Sequence, residues 1–118
     1  MDSYNVSIDF FEESEDGFAS HLLCISFLIG DIKFASFTYD FDETPMEEVS
    51  VMIDAMSGKM AFATIYQNFS NGSSEITFYK NVVTFKTTHF CQSTTFKCIV
   101  NQSLIDAFIQ IENYCSLM

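Results

Sequence analysis

Tyr4, Val6, Ile8 and Phe10 alternate with Asn5, Ser7 and Asp9, the period of a strand buried on one face. Residues 12–17 (Glu-Glu-Ser-Glu-Asp-Gly) then read as an acidic turn. A second strand is expected over 18–29, a two-residue hairpin turn at Gly30-Asp31, and a third strand from 32 to about 41. That turn sets Ile29 opposite Ile32, Phe27 opposite Phe34, Ile25 opposite Ser36 and Leu23 opposite Thr38. On the other face, Leu28 meets Lys33, Cys24 meets Phe37 and Leu22 meets Tyr39. Both faces are substantially apolar, which calls for helices on one side and further structure or a partner on the other.

The pattern then changes period. Thr44-Pro45-Met46-Glu47 places Thr at a helix N-cap, Pro at the first helical position and Glu at the third. Gly58 is placed to close the helix in a left-handed conformation. Val49, Met52, Ile53 and Met56 form the expected buried stripe, leaving Val51 as an apolar residue among exposed Glu47 and Asp54. Strands resume over 60–68, a loop is expected over 69–74, and 75–79 and 82–88 flank a tight turn at Lys80-Asn81. A last strand is expected over 94–100. A terminal helix capped by Asn101 or Ser103 should bury Leu104, Ile105, Phe108, Ile111 and Cys115 and expose Asp106, Gln110 and Asn113. The order is βββα-ββββα. A degenerate duplication is conceivable, but the residues of the two halves barely match and no linker divides them. The expectation is one domain over 1–118, of the α+β class: antiparallel sheet of about six to seven strands packed with two amphipathic helices.

Composition agrees with a folded chain, since 118 residues with 48% hydrophobic content, including fourteen Phe and five Tyr, supply a full core. Charge adds more. Thirteen Asp and Glu face only Lys33 in residues 1–58, a net of −12, whereas 59–118 hold three acids and four Lys, a net of +1. The chain has no Arg. Direct nucleic-acid binding is therefore not expected, because phosphate contacts need Lys and Arg, and the bidentate clamp for anionic ligands is missing.

Met1-Asp2-Ser3-Tyr4 lacks a basic region, so no export signal is expected, and no apolar run reaches the ~20 residues of a membrane span. A cytoplasmic protein is the expectation, with Cys24, Cys91, Cys98 and Cys115 as reduced thiols. The Asn-x-Ser sequons at Asn5, Asn68, Asn71 and Asn101 are then chance occurrences. Heavy use of Phe, Ile, Asn and Ser, with no Trp and no Arg, points to an AT-rich genome such as that of a phage, virus or mobile element.

Candidate chemistry is sparse. His89-Phe90-Cys91 could align a base and a thiol on one side of an extended segment, but no oxyanion loop accompanies it. His21 reads as a sheet histidine. A zinc site from His21, His89, Cys91 and Cys98 would lack any paired-ligand spacing, and Cys24, Cys98 and Cys115 fall on expected buried faces. Phosphate loops and calcium ligand ladders are absent. No catalytic residue, metal or cofactor is assigned, and the chain is expected not to be an enzyme. A pocket near His89 or His21 is what an enzymatic reading would require.

The acids gather in three loci: Glu12, Glu13, Glu15 and Asp16; Asp40, Asp42 and Glu43; and Glu47, Glu48 and Asp54, with Val51 among them. Together they form a candidate partner-binding surface steering toward a basic protein. The most concrete version is an inhibitor covering the nucleic-acid-binding groove of its partner, of the anti-defence or immunity-protein type. Acidity that merely keeps an aromatic-rich domain soluble is the plain alternative. A different class of reading is a structural subunit that self-associates as a homo-oligomer through its β-sheet surfaces.

Overall fold

Two-residue turns dictate the architecture. In the computed structural model, β1 (Asn5–Glu15), β2 (Phe18–Ile29) and β3 (Ile32–Asp40) are each separated by two residues, as are β4 (Phe62–Phe69), β5 (Gly72–Tyr79), β6 (Val82–His89) and β7 (Gln92–Ile99). The structure describes the backbone of residues 3–15, 18–40, 46–69, 72–90 and 92–116, and the side chains of residues 3–10, 22–38, 47–68, 72–90 and 92–114. Connections this short force antiparallel neighbours, so the strands form two meanders, β1-β2-β3 and β4-β5-β6-β7. The chain changes sheet through α1 (Met46–Met56), and α2 (Gln102–Ser116) follows the second sheet. The α+β architecture and the element order agree with the sequence expectation.

Turn chemistry explains much of the register. Gly30 takes φ 61° between Ile29 and Ile32. Lys80 and Asn81 both have positive φ, 50° and 64°, which matches the right-handed twist of the flanking strands. Gly72 is required for another reason: a Cβ there would lie 1.8 Å from the Thr88 carbonyl oxygen. β5 begins at Gly72, so the described residues of the loop expected over 69–74 are strand.

Two further expectations for the first half are corrected. Glu12, Glu13 and Glu15 belong to β1, which stays paired with β2 out to Glu15 opposite Phe18. Asp16 and Gly17 lie outside the described residues. The β2–β3 register starts as expected, with Ile29 opposite Ile32 and Leu28 opposite Lys33, but a bulge at Phe27/Leu28 then sets Phe27 opposite Ala35 and Ile25 opposite Phe37. A one-residue shift exchanges the faces of every residue beyond it. Phe37 thereby joins the side of the sheet that holds Ile25 and is buried, whereas the uninterrupted register would have put it opposite Cys24.

The inner faces of the two sheets meet in an aromatic cluster. Phe27 contacts Tyr4, Phe85 and Phe96 at ring-centroid distances of 5.9, 5.2 and 4.8 Å, and Phe37 meets Phe85 at 5.2 Å. On the second sheet the inner rows run Ala63–Phe78–Val83–Cys98, Ile65–Ile76–Phe85–Phe96 and Gln67–Ser74–Thr87–Thr94. The first two rows build the core, and the third carries the polar edge. The helices pack against each other, α1 also against β4 and α2 against β1. Val49, Met52, Ala55 and Met56 of α1 and Leu104, Ala107, Phe108 and Ile111 of α2 are buried. Ile53 and Ile105, expected in the buried stripes, are only half-buried, and the Cys115 side chain lies outside those described.

Both helices end or begin on identifiable groups. Gly58, at φ 91°, donates to the Ala55 carbonyl while Lys59 donates to that of Asp54, a Schellman closure. Asn101 is the cap of α2: its Oδ1 accepts from the Leu104 N–H at 3.0 Å, and its Nδ2 donates to the Tyr4 carbonyl at 2.9 Å. Ser103 is not the cap, because its Oγ accepts from the Val6 N–H of β1 at 2.8 Å. The Thr44 cap expected for α1 falls outside the described residues.

Candidate functional site

Antiparallel pairing brings separated acidic segments toward one end of the first sheet. Leu22 is the partner of both Phe11 on β1 and Asp40 on β3. The stretch Glu12–Glu15 therefore continues β1 just beyond the row that contains Asp40, and β3 leaves from that end toward α1. Asp42 and Glu43 lie in the intervening segment, outside the described residues. Glu47 and Glu48 occupy the first turn of α1, where the unpaired N–H groups favour negative charge.

The α1 residues differ in availability. Glu47 is exposed. Glu48 is half-buried, and its Oε2 is closed off from solvent with no hydrogen-bond partner among the described residues. Asp54 is partly exposed and faces Lys59 at 3.9 Å, a surface ion pair worth little. Val51, expected to stand exposed among acids, is instead half-buried against the core. Since α1 touches both β4 and α2, its buried arc is wider than a single stripe. Sequence periodicity finds the stripe and misses the second neighbour.

Among the described residues, the groups considered for catalysis or metal binding do not assemble around His89. His89 is exposed at the last position of β6, opposite Gly72 and Gln92, with its ring 4.5 Å from Phe90. Cys98 is buried at the other end of the sheet, opposite Val83. Cys91 and the His21 side chain lie outside those described, and among the described residues no three His, Cys, Asp or Glu side chains converge. Cys24, expected buried, is half-buried. An open groove of about 520 Å³ lies between the end of α1 (Met56, Gly58), Met60 and the β5–β6 turn (Tyr79, Lys80). It sits at the end of the second sheet opposite His89, and no histidine is among the described residues that line it.

Sequence reasoning missed the outer face of the second sheet. Phe62, Tyr66 and Tyr79 are 52%, 52% and 55% exposed. Strand pairing arranges this face in four rows: Phe62–Tyr79–Val82–Ile99, Thr64–Thr77–Thr84–Lys97, Tyr66–Glu75–Lys86–Thr95 and Asn68–Ser73–Thr88–Ser93. The signal was present in the alternation of each strand and became a surface only when four registers were combined. No helix among the described residues is long and apolar enough to cross a membrane. Comparison with protein-family models, curated proteins and solved structures found no match.

Proposed function

We propose that this chain is a non-catalytic, acidic protein-binding module that recognises a basic surface on its partner. In its most specific form it is a cytoplasmic inhibitor from a phage, virus or mobile element, occluding a partner's nucleic-acid-binding groove. The observation that carries the reading is the register through Leu22, which aligns Phe11 and Asp40 and so draws Glu12–Glu15, Asp40 and the approach to α1 toward one end of the first sheet. A concentration of like charge steers encounter with an oppositely charged surface and is sensitive to salt. The lone Lys33 in residues 1–58 does little to offset thirteen acids.

The test is retention from host or target-cell lysate on the tagged protein at low and moderate salt. A single basic nucleic-acid-handling protein is expected, held less well by a variant with Asp42→Asn, Glu43→Gln, Glu47→Gln and Glu48→Gln, and displaced by nucleic acid. Retention that ignores both the four substitutions and salt would remove the acidic surface from the mechanism. A second reading, a structural subunit that self-associates through sheet surfaces, is favoured by the exposed Phe62, Tyr79 and Ile99 aligned on the second sheet.

A further inference from the structure

We infer that the outer face of β4–β7 is a two-fold interface for a second copy of this chain, with the symmetry axis running along the strands between β5 and β6. The inference rests on the self-association reading and gives it a surface and a geometry. It is independent of the acidic end of the first sheet.

The argument is self-complementarity. A two-fold along the strands exchanges β4 with β7 and β5 with β6 while keeping each row at its own height. The apolar row then meets itself reversed, with Phe62 over Ile99 of the second copy and Tyr79 over its Val82. Each large aromatic faces a smaller aliphatic side chain, the arrangement that lets two faces interdigitate. Two rows further along, Glu75 faces Lys86 of the second copy, and Lys86 faces its Glu75. Thr77 donates to Glu75 Oε1 at 2.9 Å, which holds that carboxylate in place. No ion pair joins Lys86 to an acid among the described residues. The remaining rows oppose Thr to Thr or Lys, Tyr to Thr, and Asn or Ser to Ser or Thr, so no like charges face one another.

Charge distribution points the same way. A chain of net −11 meets a copy of itself at least cost where its acids are fewest, and this face carries Lys86 and Lys97 against Glu75 alone. Four strands about 4.8 Å apart, with eight residues each at about 3.3 Å, outline roughly 500 Å² per copy. Two copies therefore hide on the order of 1,000 Å², the lower end of specific interfaces. The dimer is accordingly expected to exchange with monomer in the micromolar range.

Sedimentation of the purified full chain over a concentration series tests this, with circular dichroism confirming that each variant is folded. The native protein should pass from monomer to dimer, and Tyr79→Lys should weaken the association by about tenfold or more. Glu75→Lys and Lys86→Glu should each weaken self-association, because each places like charges opposite one another across the axis. An equal mixture of these two variants should recover the dimer. In the mixed pair, the lysine introduced by the first substitution meets the glutamate introduced by the second, and the unchanged Lys86 of one chain meets the unchanged Glu75 of the other. Misfolding could not produce that recovery. A native protein that stays monomeric throughout overturns both this interface and the self-association reading, leaving the aromatic row to a different protein. Association that survives Tyr79→Lys and shows no charge rescue overturns this interface alone.

Discussion

The two halves of the chain solve the same packing problem with opposite surfaces. Residues 1–58 build three long strands of 11, 12 and 9 residues and a helix, and carry a net charge of −12. Residues 59–118 build four strands of 8 residues each and a helix, with a net of +1. Both send Phe into one cluster, through Phe27 and Phe37 from one side and Phe85 and Phe96 from the other. Among the described side chains, the first half exposes the acids Asp9, Asp31 and Glu47, and the second exposes Thr, Lys and aromatic rings. Core and surface are thus under separate control: the inner alternation holds the sheets together, and the outer alternation is free to give each half its own kind of contact.

The sharpest way to break this comparison is at the point where the halves are joined. Phe27 is fully buried and touches rings from both sheets. Phe27→Ala should cost about 3–5 kcal/mol, from lost burial and the cavity left behind. Urea unfolding followed separately by circular dichroism and by tyrosine fluorescence should show one transition moved to lower denaturant. Two separate transitions, one for each sheet, would show that the halves do not depend on the shared cluster.

A weaker link lies at the other junction. The Tyr4 hydroxyl, just before β1, donates to the Ile99 carbonyl at the end of β7 at 2.6 Å and lies beside the Cys98 thiol. Burial raises the Cys98 thiol above its ordinary 9.0, and burial followed by the Cys98 contact raises the Tyr4 hydroxyl above 10.0. On alkaline titration the unfolded chain therefore loses these protons first. The stability they contribute is complete below pH 9.0 and is progressively lost above it. The melting temperature of the native protein should fall from pH 9.0 upward, and more gently in a Tyr4→Phe, Cys98→Val variant. Parallel curves for the two proteins would mean that this junction does not titrate as described.

The smallest effect should be a gain, and it is confined to the second half. Phe90 sits at φ 55° in the β6–β7 turn and is 71% exposed, a strained backbone position for a bulky residue with little packing in return. Phe90→Gly should stabilise the fold by about 0.5–1 kcal/mol, read as a rise in the urea midpoint without a change in slope. A loss of stability would give the exposed ring a packing role beyond its contact with His89.

Much of this was legible in the residues. Alternation located the strands, and the two-residue turns at Gly30-Asp31 and Lys80-Asn81 located the hairpins, because such turns leave few backbone choices. Gly58 ended the first helix for the same local reason. Register beyond the first pairs was not legible: the Phe27/Leu28 bulge exists because it brings Phe37 into the core opposite Ile25, and that benefit depends on Phe85 from the other sheet. Likewise, Val51 reads as an exposed residue on an isolated helix and is half-buried because α1 has two neighbours.

The acidic loci were visible as composition, but their approach to one end of the first sheet through Leu22 required the pairing of three strands. The aromatic row on the second sheet was hidden for the same reason, its members lying as far apart as residues 62 and 99. Local conformation, element order and the charge of each half follow from short-range sterics and side-chain chemistry, and so were set by the sequence taken by itself. Which residues share a face, a row or an end was decided only by the tertiary structure, because that depends on long-range pairing and on the packing of one sheet against the other.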